Sequence, residues 1–339
     1  MQRILGFALF FLACGGGESH PDAAPDAGPG EHWDLVFDRL ADGALTCGFA
    51  TGSHLFLTGG KDLGMGGGTI LHYDGSAWTR MPNPAPALLW WVFGFGPSDV
   101  WAVGQNAAIL HWDGSAWTAM PAPSSVAGAS LAGVWGAAPN EVWAVGAAAS
   151  APPAPVILRW DGTQWMVANP GTSDRGGLFK VWGADRTHVW AVGMGGLLLA
   201  YDGAQWTQPP RVSASQLVTV HGRSATDVWA VGGMGNGSAF RFDGQSWQPL
   251  DGTGAFPPLL GVFADPGGPV IVVGQQGFLA TWSRARWHLV DPPPTLDCLH
   301  NVTAYAGGYV AMGGNLLSPG VGLHGVLLRS GSPLSSHLP

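Results

Sequence analysis

Charge is what this sequence has least of. Asp, Glu, Lys and Arg make up only 11% of its 339 residues, and its sole lysines are Lys61 and Lys180. With a net charge of −8 it offers no basic face to displace counterions from a phosphate backbone, which excludes nucleic acid as a partner. Glutamate is nearly missing: beyond Glu18 and Glu31 there is only Glu141. A glycosidase needs two facing carboxylates, and no neighbouring pair suggests one. Three cysteines are too few for a disulfide scaffold. The histidines form no H-x-H or H-E-x-x-H spacing, so no metal site and no cofactor are expected. Helical periodicity is also absent, because 54 glycines and 27 prolines interrupt every window that might sustain it. Low charge combined with 18 tryptophans excludes disorder as well.

What is present is a repeat. Residues 131–165 read L-x-x-V-W-G, then E-V-W-A-V-G, then V-I-L-R-W-D-G-x-x-W. The closing tryptophan recurs at Trp78, Trp117, Trp165, Trp206, Trp247 and Trp287. The glycine ending W-A-V-G recurs at Gly59, Gly104, Gly146, Gly193, Gly232, Gly274 and Gly313. Units of about forty residues, each with four short Val- and Trp-rich runs and an Asp-Gly hairpin signal, have the size and pattern of propeller blades. The runs are apolar on both faces, as in sheets covered on both sides. The expected fold is all-β: a seven-bladed β-propeller of four-stranded antiparallel blades. The seventh unit lacks a fourth strand, ending at residues 330–333 without a tryptophan. His32-Trp33-Asp34-Leu35-Val36 resembles Arg286-Trp287-His288-Leu289-Val290, so an N-terminal strand is expected to fill the vacant slot and close the ring.

The D-V-W-A-V-G and Y-D-G-x-x-W signatures resemble the propeller repeats of bacterial exported proteins. The doublets Gly59-Gly60, Gly232-Gly233 and Gly313-Gly314 are similar to kelch repeats. The turn at Asp74-Gly75 is distantly similar to an Asp-box, although its Asp and Gly are adjacent. These resemblances imply a fold and fix no function. The N-terminus carries Arg3, an apolar segment over residues 4–13, and then Cys14. It resembles a bacterial lipoprotein signal, with Phe11 where leucine is usual. That resemblance implies lipid on Cys14, a location in the bacterial envelope facing the periplasm or exterior, and no other membrane anchor. The expected organisation is a signal peptide over 1–13, a Gly/Pro/Ala/Asp tether over 14–30, the propeller over 31–332 and a tail over 333–339.

The repeat also filters candidates. Asp74, Asp113, Asp161, Asp202 and Asp243 recur before the turn glycine and read as turn residues bonding their own backbone. Asp99, Glu141 and Asp227 share another repeated position. Every tryptophan fits a repeat position except Trp90 and Trp91. On the innermost strand, Leu45, Leu89, Leu131, Leu178, Leu217, Leu259 and Leu299 align as core, as does the residue three places later. Two places after each leucine stand Cys47, Trp91, Gly133, Lys180, Thr219, Gly261 and Asn301, a ring expected to face the channel. Trp90, Trp91, Lys180, Thr219, His300 and Asn301 are the candidate binding residues. The tryptophan pair either grips a sugar ring or peptide, or fills the channel and packs between blades. Cys47 and Cys298 lie in units that meet at the closure and are a candidate disulfide, against which stands their offset along the strand. The connections from fourth to first strand and from second to third vary in length and share one face, the place expected for binding. The reading is a monomeric, non-catalytic binding or scaffolding module for a protein or glycan met on that variable face. The alternatives are a carbohydrate-active hydrolase or lyase at the channel mouth, and a purely structural envelope protein.

Overall fold

A computed structural model describes residues 32–61, 67–316 and 323–338. The signal segment, Cys14 and the tether lie outside the described residues. The chain forms seven four-stranded antiparallel sheets. Their inner strands are Ala44–Thr51, Leu89–Gly96, Ser130–Ala138, Leu178–Asp185, Leu217–Ser224, Leu259–Ala264 and Leu299–Tyr305. Each packs beside the next, and the seventh returns to the first, so the sheets are the blades of a closed propeller. Among the described residues no helix is long and apolar enough to cross a membrane.

Closure occurs as the sequence predicts. Asp34–Leu40 pairs antiparallel with His324–Ser330 and becomes the outer strand of blade seven, with Asp34 opposite Arg329. Trp33 is buried against Ile271, Tyr309 and Leu328, joining blade six to blade seven. Val36, Phe37 and Leu40 pack on the other side, against Leu57, Trp78 and Tyr305. The C-terminal tail docks on the same cluster through Leu334 and Leu338, and Trp78 Nε1 donates to the Ser335 carbonyl at 2.7 Å.

The Asp-Gly turns behave as their chemistry dictates. Asp74 Oδ1 accepts hydrogen bonds from the main-chain N–H groups of Ser76 and Ala77, both at 2.8 Å. Asp113, Asp161, Asp202 and Asp243 repeat the pattern. These bonds, with the Thr163 hydroxyl foremost at Asp161, hold all five carboxyls below the usual carboxylate range. At the other repeated acid position, Asp99 meets His111 at 2.8 Å, Glu141 meets Arg159 at 3.1 Å and Asp227 meets Arg241 at 2.7 Å. Each partner lies over a second-strand tryptophan: Trp101, Trp143 and Trp229 respectively. These acids fasten the blades.

One irregularity recurs in every blade. Leu45 pairs with Gly59 and Cys47 with Thr58, leaving Thr46 as an extra residue on the inner strand. The same bulge follows Leu89, Leu131, Leu178, Leu217, Leu259 and Leu299. Side chains alternate faces along a regular strand, so residues three apart cannot share one. The bulge resets that alternation. Hence the leucine and the residue three places on both enter the core, while the residue between bulge and core faces the channel.

Candidate functional site

Once past the bulge, the inner strands present two rings to the channel. The upper ring is the predicted one, with Cys47, Trp91, Thr219 and Asn301 lining the space. The lower ring stands two residues further on: Phe49, Phe93, Trp135, Trp182, His221, Phe263 and Thr303. Six of these seven positions are aromatic. Their rings follow one another around the channel, with centroids 5.9 Å apart for Phe49–Phe93, 6.4 Å for Phe93–Trp135, 5.5 Å for Trp182–His221 and 4.8 Å for His221–Phe263. The collar surrounds a cavity of about 310 Å³ that extends toward the short turns between first and second strands.

The glycine of V-W-G is explained by this collar. A Cβ on Gly183 would sit 2.5 Å from Trp135 Cη2, and one on Gly222 would sit 2.6 Å from Trp182 Cη2. Gly94 stands in the same relation to Phe49, at 2.7 Å. In these three blades the ring of the preceding blade reaches over the glycine and leaves no room for a side chain; at Gly136 the neighbouring ring is Phe95, at 2.6 Å, and blades one, six and seven carry Ala50, Ala264 and Ala304 there.

The channel is closed at its opposite end, toward the variable connections. There the bulged residues Thr46, Trp90, Val218, Leu260 and His300 crowd around Lys180 and Leu316, leaving a space of about 10 Å³. Trp90 is 4% exposed, packs with Ala44, Leu88, Ala132 and Leu316, and donates from Nε1 to Ser130 Oγ at 3.0 Å. Lys180, 6% exposed, donates from Nζ to the Ala132 carbonyl at 2.6 Å and lies 4.0 Å from the centre of the Trp91 ring. Desolvation pushes its amine down to about 7, while the ring face favours the charged form. Burial also pushes His300 down to about 4, and its Nε2 lies 3.2 Å from the Gly314 carbonyl.

No protein-family model matches the sequence, and no curated protein does. Solved structures match the fold. YCF48 bound to D1 peptide superimposes with a TM-score of 0.65 at 16% identity, over 91% of this chain and 99% of that one. YCF48 from Cyanidioschyzon merolae gives 0.63 at 16%, over 88% and 98%. The WD40 β-propeller domain of Doa1 gives 0.66 at 9%, over 89% and 98%. The architecture is that of a β-propeller, and at these identities the likeness is one of fold.

The candidates chosen from the sequence therefore divide. Trp91, Thr219 and Asn301 line the open cavity, whereas Trp90, Lys180 and His300 line the closed end. Several of them stitch blades together. Thr219 Oγ1 donates to the Leu260 carbonyl at 2.6 Å, and Asn301 Oδ1 accepts from the Gly48 N–H at 3.3 Å across the closure. The disulfide expected between Cys47 and Cys298 is not formed, because Cys47 is a free thiol. It stands past the bulge of its strand, with Sγ 3.5 Å from the Val92 carbonyl, and burial pushes the thiol up to about 12. Cys298 precedes the leucine of its own strand and packs with Val218 and Leu260. The bulge separates the two cysteines along the channel.

The collar is what sequence reasoning missed. Trp135 and Trp182 belong to the repeated V-W-G, and a residue that recurs reads first as part of the fold. The available signal was their parity: they stand two places beyond the variable channel position, on the same face.

Proposed function

We propose that this protein is a non-catalytic binding module of the bacterial envelope, anchored by lipid on Cys14, which holds a protein segment at the aromatic mouth of its channel. The observation that carries this reading is the collar around a cavity of about 310 Å³. A concave site of that size, rich in aromatic rings with a few polar groups, suits a bulky side chain from a partner. No Asp, Glu, Lys or Arg stands in its lining. His221 is kept neutral, since burial and then the Arg223 charge push it down to about 4. Glycosidic chemistry needs two carboxylates there, so the lining supports holding over cutting. A sugar needs several partners for its hydroxyls; Thr219 is committed to the Leu260 carbonyl and Asn301 Oδ1 to the Gly48 N–H, which leaves Thr303, His221 and the Asn301 amide nitrogen as the polar groups of the mouth. A protein segment therefore fits better than a glycan. This reading moves the site from the variable face to the face of the short turns.

The test is affinity capture from native envelope extract with the full chain, with Trp182→Ala and with a variant in the variable loop 166–177. A partner kept by the wild type and the loop variant, and lost by Trp182→Ala, is the expected result. The same proteins retained by all three would place the site elsewhere. For the anchor, Cys14→Ser should release the protein from membranes after a high-salt wash; retention would assign the anchor to another residue.

A further inference from the structure

The channel cavity does not end at the collar. A second space of about 410 Å³ adjoins it on the same face and shares Ala50 and Ala304 with it. Its wall is the first turn of blade seven, with Tyr305, Gly308 and Tyr309, and its charged side chain is Asp265 from blade six. Asp265 is the one residue among Asp, Glu, Lys and Arg that lines either space. The carboxylate is firmly placed: Oδ1 accepts the Gly267 N–H at 2.9 Å and Oδ2 accepts the Tyr309 hydroxyl at 2.6 Å. A carboxylate has about four lone-pair sites, so each oxygen can accept again. The neighbouring cation does not take that capacity. Arg223 reaches the main-chain carbonyls of Asp265 and Gly268, and its ion pair is with Asp227 at 2.9 Å. Among the described residues Asp265 has no ion-pair partner.

From this juxtaposition we infer that the partner segment carries a positive group, a lysine, an arginine or an α-amine, a few residues from a bulky apolar side chain. The apolar side chain enters the collar and the cation reaches Asp265. The arrangement is not reversible. A cation inside the collar would shed its water where no lining side chain carries a negative charge, and aromatic faces return only part of that loss. At Asp265, on the rim, the cation keeps part of its hydration and gains a charge-assisted hydrogen bond. This inference rests on the collar being the binding site, and the test separates the two.

A random octapeptide display library is panned on the full chain. The enriched sequences should pair Trp, Phe or Leu with Lys or Arg within a few residues. One enriched peptide, labelled with fluorescein, is then compared by anisotropy with its Lys→norleucine analogue. The cationic form should bind about tenfold more tightly in low salt, with the advantage shrinking as salt rises. Asp265→Asn should abolish the advantage and leave the norleucine peptide unchanged. Phe263→Ala should weaken both peptides. Equal binding of the two peptides to the wild-type chain overturns the role of Asp265 while leaving the collar in place, and needs no variant to fold. Peptides bound equally by the wild type and Phe263→Ala overturn the collar reading, and this inference falls with it.

Discussion

The two ends of the channel are built by the same seven strands, a few residues apart, and they differ in kind. At the variable end the bulged residues are dissimilar, ranging from Thr46 to Trp90 to His300, and they fill the axis. At the short-turn end the residues are alike, nearly all aromatic, and they leave a cavity. Dissimilar side chains can interlock where seven strands converge, as a jigsaw does. Similar large rings cannot all reach the axis, and those of Phe49, Trp135 and Trp182 turn onto the glycine of the next blade. Repetition makes the opening, and departure from repetition makes the plug.

That contrast can be broken from either side. The largest effect is expected at the plug. Trp90→Ala removes a buried indole from a region with no space to collapse into, costing about 3–5 kcal/mol and lowering the melting temperature by roughly 10 °C. A melt within a degree or two of wild type would show that the end is not packed as described. Next comes Lys180→Met, which should stabilise. In the unfolded chain the amine keeps its proton to its ordinary value of 10.5, but in the fold only to about 7. Between those limits the unfolded state binds more protons, so wild-type stability rises with pH, and below about 7 the penalty is complete. The gain from Lys180→Met should be about 2–3 kcal/mol at pH 6, after the lost hydrogen bond and ring contact, and should shrink steadily toward pH 10. A gain that does not change with pH would remove the charge from the explanation.

Effects at the mouth should be smaller in stability and larger in binding. Gly222→Ala forces a methyl into the Trp182 ring and should cost about 1–3 kcal/mol in a chemical denaturation series. Phe263→Ala, at a half-buried ring, should cost about 1 kcal/mol and yet remove partner binding. If Phe263→Ala destabilises as much as Trp90→Ala, the two ends are equally structural and the contrast fails.

Much of this was legible from residues alone. The repeat gave the blades, the turn aspartates and the borrowed strand, because each rests on local chemistry that recurs at a fixed interval. The channel ring was legible too, from a position that varies while its neighbours hold constant. Its continuation was not. Leu45 and Gly48, or Leu89 and Val92, are three apart and both in the core, a spacing no regular strand permits. That mismatch was the mark of the bulge, and following its parity onward would have placed Phe93, Trp135 and Trp182 in the channel. The absence of a Cys47–Cys298 bridge has the same origin, since Cys298 stands before the bulge of its strand and Cys47 after it. The turn of blade seven that faces Asp265 was beyond reach, because it depends on how blades six, seven and one meet.

The direction of the borrowed strand has one more consequence. Asp34 lies opposite Arg329, at the end of blade seven where Gly308 and Tyr309 begin the second strand. The chain thus enters the propeller on the face that carries the collar and Asp265. If Cys14 carries the proposed lipid, the residues from 14 to 32 would span at most about 65 Å even when drawn straight. The opening would then be held near that height of the bilayer, with the leash at the outer edge of blade seven. Such a leash would limit the partners within reach to those near the membrane surface.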